Sequence, residues 1–132
     1  DCMQTFYSDS YPTSSDITIE GNRCENAAAQ CLIAEGPALP GEGVNGPGQS
    51  IGWTFYNNYC NVGAVQAVQL KDIKNATIVG NHFEGSNNKA IALADAYTGA
   101  HVGGNKVSSG IGKLITFDDG DESPGYVGPK PD

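Results

Sequence analysis

Apolar and polar residues alternate along this chain in short bursts, and the bursts recur in one order. The stretches 17–24, 53–60, 76–83 and 100–107 align without gaps. Alternation with a period of two is the mark of a strand buried on one face. It turns Ile17 and Ile19 inward and Thr18 and Glu20 outward. The same inward pair recurs as Trp53 and Phe55, Ala76 and Ile78, Ala100 and Val102. Each stretch carries an Asn at the same place: Asn22, Asn58, Asn81 and Asn105. Nine residues after each Asn a second strand is predicted, beginning at Cys31, Ala67, Ala90 and Leu114. Its inward pairs are Leu32 and Ala34, Val68 and Leu70, Ile91 and Leu93, Ile115 and Phe117. All of them are apolar.

A fixed internal period of this length is the signature of a repeat architecture. The Asn positions are 36, 23 and 24 residues apart. Two short strands and three bends in such a span make one rung of a parallel β-solenoid. Stacked rungs lie ~4.8 Å apart, so equivalent residues form columns. The long first interval holds a Gly/Pro-rich stretch without periodicity, read as a loop insertion over 37–50. The head of the chain aligns with 30–36, which sets Cys2 over Cys31 and Met3 over Leu32. The repeats therefore begin halfway through a rung and fill residues 1–120, about four and a half rungs in all. Residues 121–132 have no alternation and are read as a C-terminal cap or flexible tail.

Composition narrows the partners. The 132 residues carry a formal net charge of -8, with 15 acidic against 7 basic side chains. That argues against nucleic acid, which needs a basic face. No apolar run approaches the ~18 residues of a membrane span, so no membrane partner is expected. There is no initiator Met and no signal-like block, which fits a processed product or an excised piece. Because the repeats start inside a rung, either more rungs precede them or a second copy stacks there end to end.

The Gly-Asn steps at Gly21-Asn22, Gly80-Asn81 and Gly104-Asn105, with Asn57-Asn58 as a variant, resemble those of the right-handed parallel β-helix proteins of the pectin-lyase-like superfamily. The resemblance spans roughly residues 1 to 120. It implies an all-β, right-handed parallel β-helix in which the Asn column is an asparagine ladder that holds left-handed bends. That superfamily includes polysaccharide lyases, glycoside hydrolases, epimerases and phage tailspikes, so the fold leaves the activity open.

Four cysteines in a short chain suggest an oxidising compartment if they pair. Cys2 and Cys31 share one column, and Cys24 and Cys60 another. The expected bridges are Cys2–Cys31 and Cys24–Cys60, with a stack of buried thiols as the alternative for the second pair.

The outward columns carry the candidate chemistry. Gln4, Phe6, Glu35, Gln69 and Asp118 are candidate substrate-binding residues, because amides, charges and an aromatic ring are what a sugar-binding groove uses. Asp72, Asp95 and Asp119 close the second strand on successive rungs. Stacked carboxylates raise a pKa or invite a cation, with calcium as the candidate cofactor, although Asp also suits a turn after a strand. Lys71, Asp95 and Asp119 are the catalytic candidates. Asp95 and Asp119 are one rung apart, near the ~5 Å of a retaining carboxylate pair. Glu35 and Asp118 are three rungs apart, ~14 Å, too far for such a pair. A lyase needs a cation and a base, which Lys71 beside Asp72 would supply. The single Arg, Arg23, and the acidic net charge argue against a polyuronate. The hydrolase motifs of the superfamily are absent. A Thr column, Thr18, Thr54 and Thr77, ends at His101 and is too broken for ice binding. Asn75-Ala76-Thr77 is a lone N-glycosylation triplet.

The expected function is that of an extracellular, polysaccharide-interacting module of a carbohydrate-active protein. If it is an enzyme, it is a polysaccharide lyase or resembles a glycoside hydrolase. The competing expectation is a structural or receptor-binding solenoid, such as a tailspike segment or a self-stacking fibre subunit on a viral or cell surface.

Overall fold

The computed structural model describes residues 1–7, 13–37 and 50–131. Its regular elements are all strands: β1 Met3–Thr5, β2 Thr18–Glu20, β3 Arg23–Ala27, β4 Leu32–Glu35, β5 Ser50–Ile51, β6 Thr54–Tyr56, β7 Tyr59–Val62, β8 Gln66–Lys71, β9 Ile73–Lys74, β10 Thr77–Val79, β11 His82–Gly85, β12 Lys89–Ala94, β13 His101–Gly103, β14 Lys106–Val107 and β15 Lys113–Asp118. They form four parallel sheets. Sheet I runs β2-β6-β10-β13 and sheet II runs β3-β7-β11-β14. Sheet III runs β1-β4-β8-β12-β15, and sheet IV pairs β5 with β9. Each repeat contributes a strand to sheets I, II and III in turn. The next repeat lays its strands alongside in register, as in the columns Thr18-Thr54-Thr77-His101 and Leu32-Val68-Ile91-Ile115.

The first predicted strand is in fact two. A left-handed residue splits each stretch into a strand of sheet I and a strand of sheet II. These residues are Gly21, Asn57, Gly80 and Gly104, with φ of 68°, 53°, 68° and 61°. The left-handed bend thus falls one residue before the ladder Asn, not on it. Glycine enters this region without steric cost, and Asn is the side chain that tolerates it best. A second left-handed column, Asp72, Asp95 and Asp119, follows sheet III. A third, Asp16, Gly52, Asn75, Gly99 and Gly125, precedes sheet I.

The Asn column does form a hydrogen-bonded ladder. Asn58 Oδ1 accepts from the Asn22 backbone N–H (2.9 Å) and side-chain amide (3.1 Å). Asn81 Oδ1 does the same for Asn58, and Asn105 Oδ1 for Asn81. The remaining Nδ2 hydrogen of Asn58, Asn81 and Asn105 goes to the carbonyls of Ile19, Phe55 and Ile78. Asn58 and Asn81 are buried, and a buried amide left unpaired would cost about 1–3 kcal/mol.

The predicted inward residues line one apolar column. Trp53, Phe55, Ile78, Val102, Leu32, Val68, Leu70, Ile91, Leu93 and Ile115 are buried. Ile17, Ile19 and Phe117, nearest the two ends, are only partly covered.

The cysteine columns are in register, since Cys24 pairs with Cys60 and Met3 with Leu32. The expected bridges within columns do not form. The disulfides are Cys2–Cys24 and Cys31–Cys60, with Cα atoms 6.2 and 5.9 Å apart. Vertical neighbours in a column point the same way at the strand spacing, wider than the ~3.8 Å between Cβ atoms that a disulfide prefers. Each bridge instead crosses the corner from sheet II of one repeat to the start of sheet III of the repeat before. No free cysteine remains.

After β15 the chain turns back over the end of the stack. Val127 exchanges backbone hydrogen bonds with Ala100 and Val102, both 2.9 Å. Tyr126 packs edge-on against Phe117 and Tyr97, at centroid distances of 4.9 and 6.0 Å. The loop insertion at 37–50 lies, except for its two ends, outside the described residues, as does part of the bridge from Ser8 to Asp16.

Candidate functional site

Sheet III is the widest sheet, and its outer face carries most of the predicted site. Its strands do not alternate strictly. Ala67 and Val68 are both buried, as are Ala90 and Ile91, so each strand turns two successive residues inward. This doubled step changes the outward set. Gln66, Gln69 and Lys71 share the face on β8. Lys89, Ala92 and Ala94 follow on β12, and Lys113, Thr116 and Asp118 on β15. Strict alternation missed Gln66, Lys89 and Lys113. The doubled apolar pairs Ala67-Val68, Ala90-Ile91 and Leu114-Ile115 were the signal that would have found them.

Ala92 and Ala94 stand in register between Gln69 and Lys71 on one side and Thr116 and Asp118 on the other. Both are fully buried although they face outward. Their taller neighbours therefore cover them, and the middle of the face is closed to solvent. Lys89 Nζ reaches Asp118 Oδ2 at 2.6 Å. Gln66 Nε2 donates to Gln69 Oε1 at 2.5 Å. Gln4 extends the face on β1, and Phe6, one residue past β1, is 61% exposed. Glu35 pairs in register with Lys71.

The predicted catalytic residues are placed differently from one another. Lys71 Nζ lies 3.4 Å from Asp95 Oδ2. The hydrogen bond to Asp95 raises the Lys71 pKa, and the charges of Asp95, Glu35 and Asp72 add to it. The amine is thus held as a cation, the part it would play beside a separate base in a lyase. Asp72 is 1% exposed, and its Oδ1 accepts the backbone N–H of Ala96 at 3.1 Å. Asp119 is exposed. The three share a left-handed corner, which Asp accepts more readily than most side chains. Among the described residues, no group of three or more His, Cys, Asp or Glu is placed to hold a metal.

Sheet II carries a second polar cluster that the sequence reading did not separate out. Arg23, Tyr59, His82 and Lys106 form one outward column. The Arg23 guanidinium lies 4.0 Å from the Tyr59 ring centroid, and His82 meets that ring edge-on at 5.3 Å. Glu84 accepts from the Tyr59 hydroxyl at 3.1 Å and lies 3.2 Å from His82 Nε2. Arg23 and Glu84 already face partners there, so this part of the cluster reads as a laced surface.

Two closed disulfides belong with an oxidising environment. No family model, no curated protein and no solved structure matches this chain.

Proposed function

We propose that the chain is a right-handed parallel β-helix of the pectin-lyase-like type whose sheet III binds an extended polysaccharide outside the cell. The observation that carries this reading is the outer face of sheet III. Gln4, Glu35, Gln69, Lys71 and Asp118 share one continuous face in register from strand to strand, and the exposed Phe6 stands at its head just past β1. Amide side chains such as Gln4 and Gln69 suit sugar hydroxyls, and an exposed ring at the head suits a sugar face. Two of its lysines are already paired, Lys71 with Asp95 and Lys89 with Asp118. With the acidic net charge, this favours a neutral polymer over a polyuronate. Calcium takes no part in this reading.

Affinity electrophoresis through gels containing soluble polysaccharides tests it. The native chain is retarded by at least one neutral polymer. Gln69→Ala and Phe6→Ala each weaken retention by about fivefold, the value of one lost contact. Retention unchanged in both variants would move the site off sheet III.

The second reading, a self-stacking structural unit, is favoured by one observation. Among the described residues nothing pairs with the outer edge of β1, next to the exposed Phe6. An unpaired strand edge is a template for another chain. Light scattering that reports a single monomer mass over a wide concentration range would sink this second reading.

A further inference from the structure

We propose that Asn75 is the acceptor of an N-linked glycan. Three places in the chain have an Asn followed two residues later by Ser, Thr or Cys: Asn22-Arg23-Cys24, Asn58-Tyr59-Cys60 and Asn75-Ala76-Thr77. The structure disposes of the first two. Asn22 and Asn58 spend their side-chain amides on the ladder and on strand carbonyls. Cys24 and Cys60 are closed in disulfides.

Asn75 differs in each respect. It is exposed, at the left-handed corner between β9 and β10, with φ of 54°. Its backbone N–H donates to Thr98 O at 2.8 Å, which fixes the corner. Its side-chain amide makes no hydrogen bond to any described residue. The carbonyl oxygen is the atom turned toward Gly99, where an added Cβ would come within 2.2 Å of it. Thr77 faces outward on β10, with its hydroxyl on the sheet I surface, while Ala76 between them is buried. The disulfides place folding in the kind of oxidising compartment where such transfer occurs.

The co-reactant is an oligosaccharide linked through pyrophosphate to a lipid. Asn75 Nδ2 attacks the anomeric carbon and a C–N bond forms. The C–O bond to the pyrophosphate breaks, and the lipid pyrophosphate leaves with the electron pair. One amide proton passes to a base of the transferring enzyme. The attached glycan would project from the corner between sheets IV and I, one corner beyond the end of β8.

The test is expression of the full chain behind a secretion leader in a eukaryotic cell. The expected product carries one glycan. Peptide N-glycosidase collapses it to the polypeptide mass, and the peptide map shows deamidation at residue 75 alone. Thr77→Val, which keeps a strand-favouring side chain, abolishes the glycan, whereas Thr77→Ser keeps it. Secreted native chain of unmodified mass would overturn the proposal, and so would a glycan that survives in Thr77→Val. A disulfide map identical in all three chains confirms that they fold alike.

Discussion

At the end of the stack that holds β1, two disulfides tie sheet II to sheet III. At the end that holds β15, three aromatic rings and a strand-like return of the chain do the closing. Both ends face the same difficulty: the last repeat has no neighbour to cover its apolar column. The bridges act through the unfolded chain, whose freedom they restrict by closing loops that span 22 and 29 residues. The aromatic lid acts in the folded state, by removing apolar surface from water. The first device therefore responds to reductant and the second to side-chain volume and to alkaline pH.

The largest expected effect comes from removing the buried bridge. Cys31→Ser with Cys60→Ser should cost about 4 kcal/mol, from loop entropy together with two hydroxyls in an apolar column. Hydrogen exchange should then show β3 and β4 opening before β13. If β13 opened at the same rate, the two ends would not be independent.

Tyr126→Ala comes next, at about 3 kcal/mol, because it empties a site that is 8% exposed between Tyr97 and Phe117. Exchange should here be fastest in β13 and β15, with β3 and β4 protected. The opposite order would mean that the tail merely rests on the end.

The smallest effect is a titration. Burial pushes the Tyr126 hydroxyl up to about 12, and the charge of Glu122 adds to the shift. An ordinary tyrosine titrates near ~10. The folded state therefore keeps a proton that the unfolded state has lost, and stability falls between these two values. Thermal unfolding followed from pH 9 to pH 12 should show this decline. Tyr126→Phe should reduce it and leave the part due to Tyr97, whose pKa burial also raises. An unchanged decline would assign it elsewhere.

How much of this was legible varies from column to column. The inward pairs Phe55, Ile78 and Val102 were readable because alternation is a one-dimensional pattern. The ladder was readable because Asn58, Asn81 and Asn105 recur at nearly constant spacing. The split into sheets I and II was written in the sequence but not read from it: at Gly80 two successive residues, Val79 and Gly80, lie outside the core, so the buried Ile78 and Phe83 fall out of step with strict alternation. The site was half legible. Gln69, Lys71 and Asp118 were placed on the right face, but the doubled inward step hid Lys89, which reaches Asp118 along that face.

The cysteines mark the boundary between the two kinds of information. From the sequence alone came the repeat, its inward residues, the Asn ladder and the two cysteine columns, all consequences of local periodicity. Only the tertiary structure decided that Cys2 joins Cys24 and Cys31 joins Cys60. It alone decided that Ala92 and Ala94 are covered by their neighbours on the sheet face, that Asp72 is buried against Ala96, and that the tail covers the last repeat. Period places residues in columns. Which columns meet across a corner depends on the angle of each bend, and that is set by left-handed backbone and packing rather than by spacing along the chain.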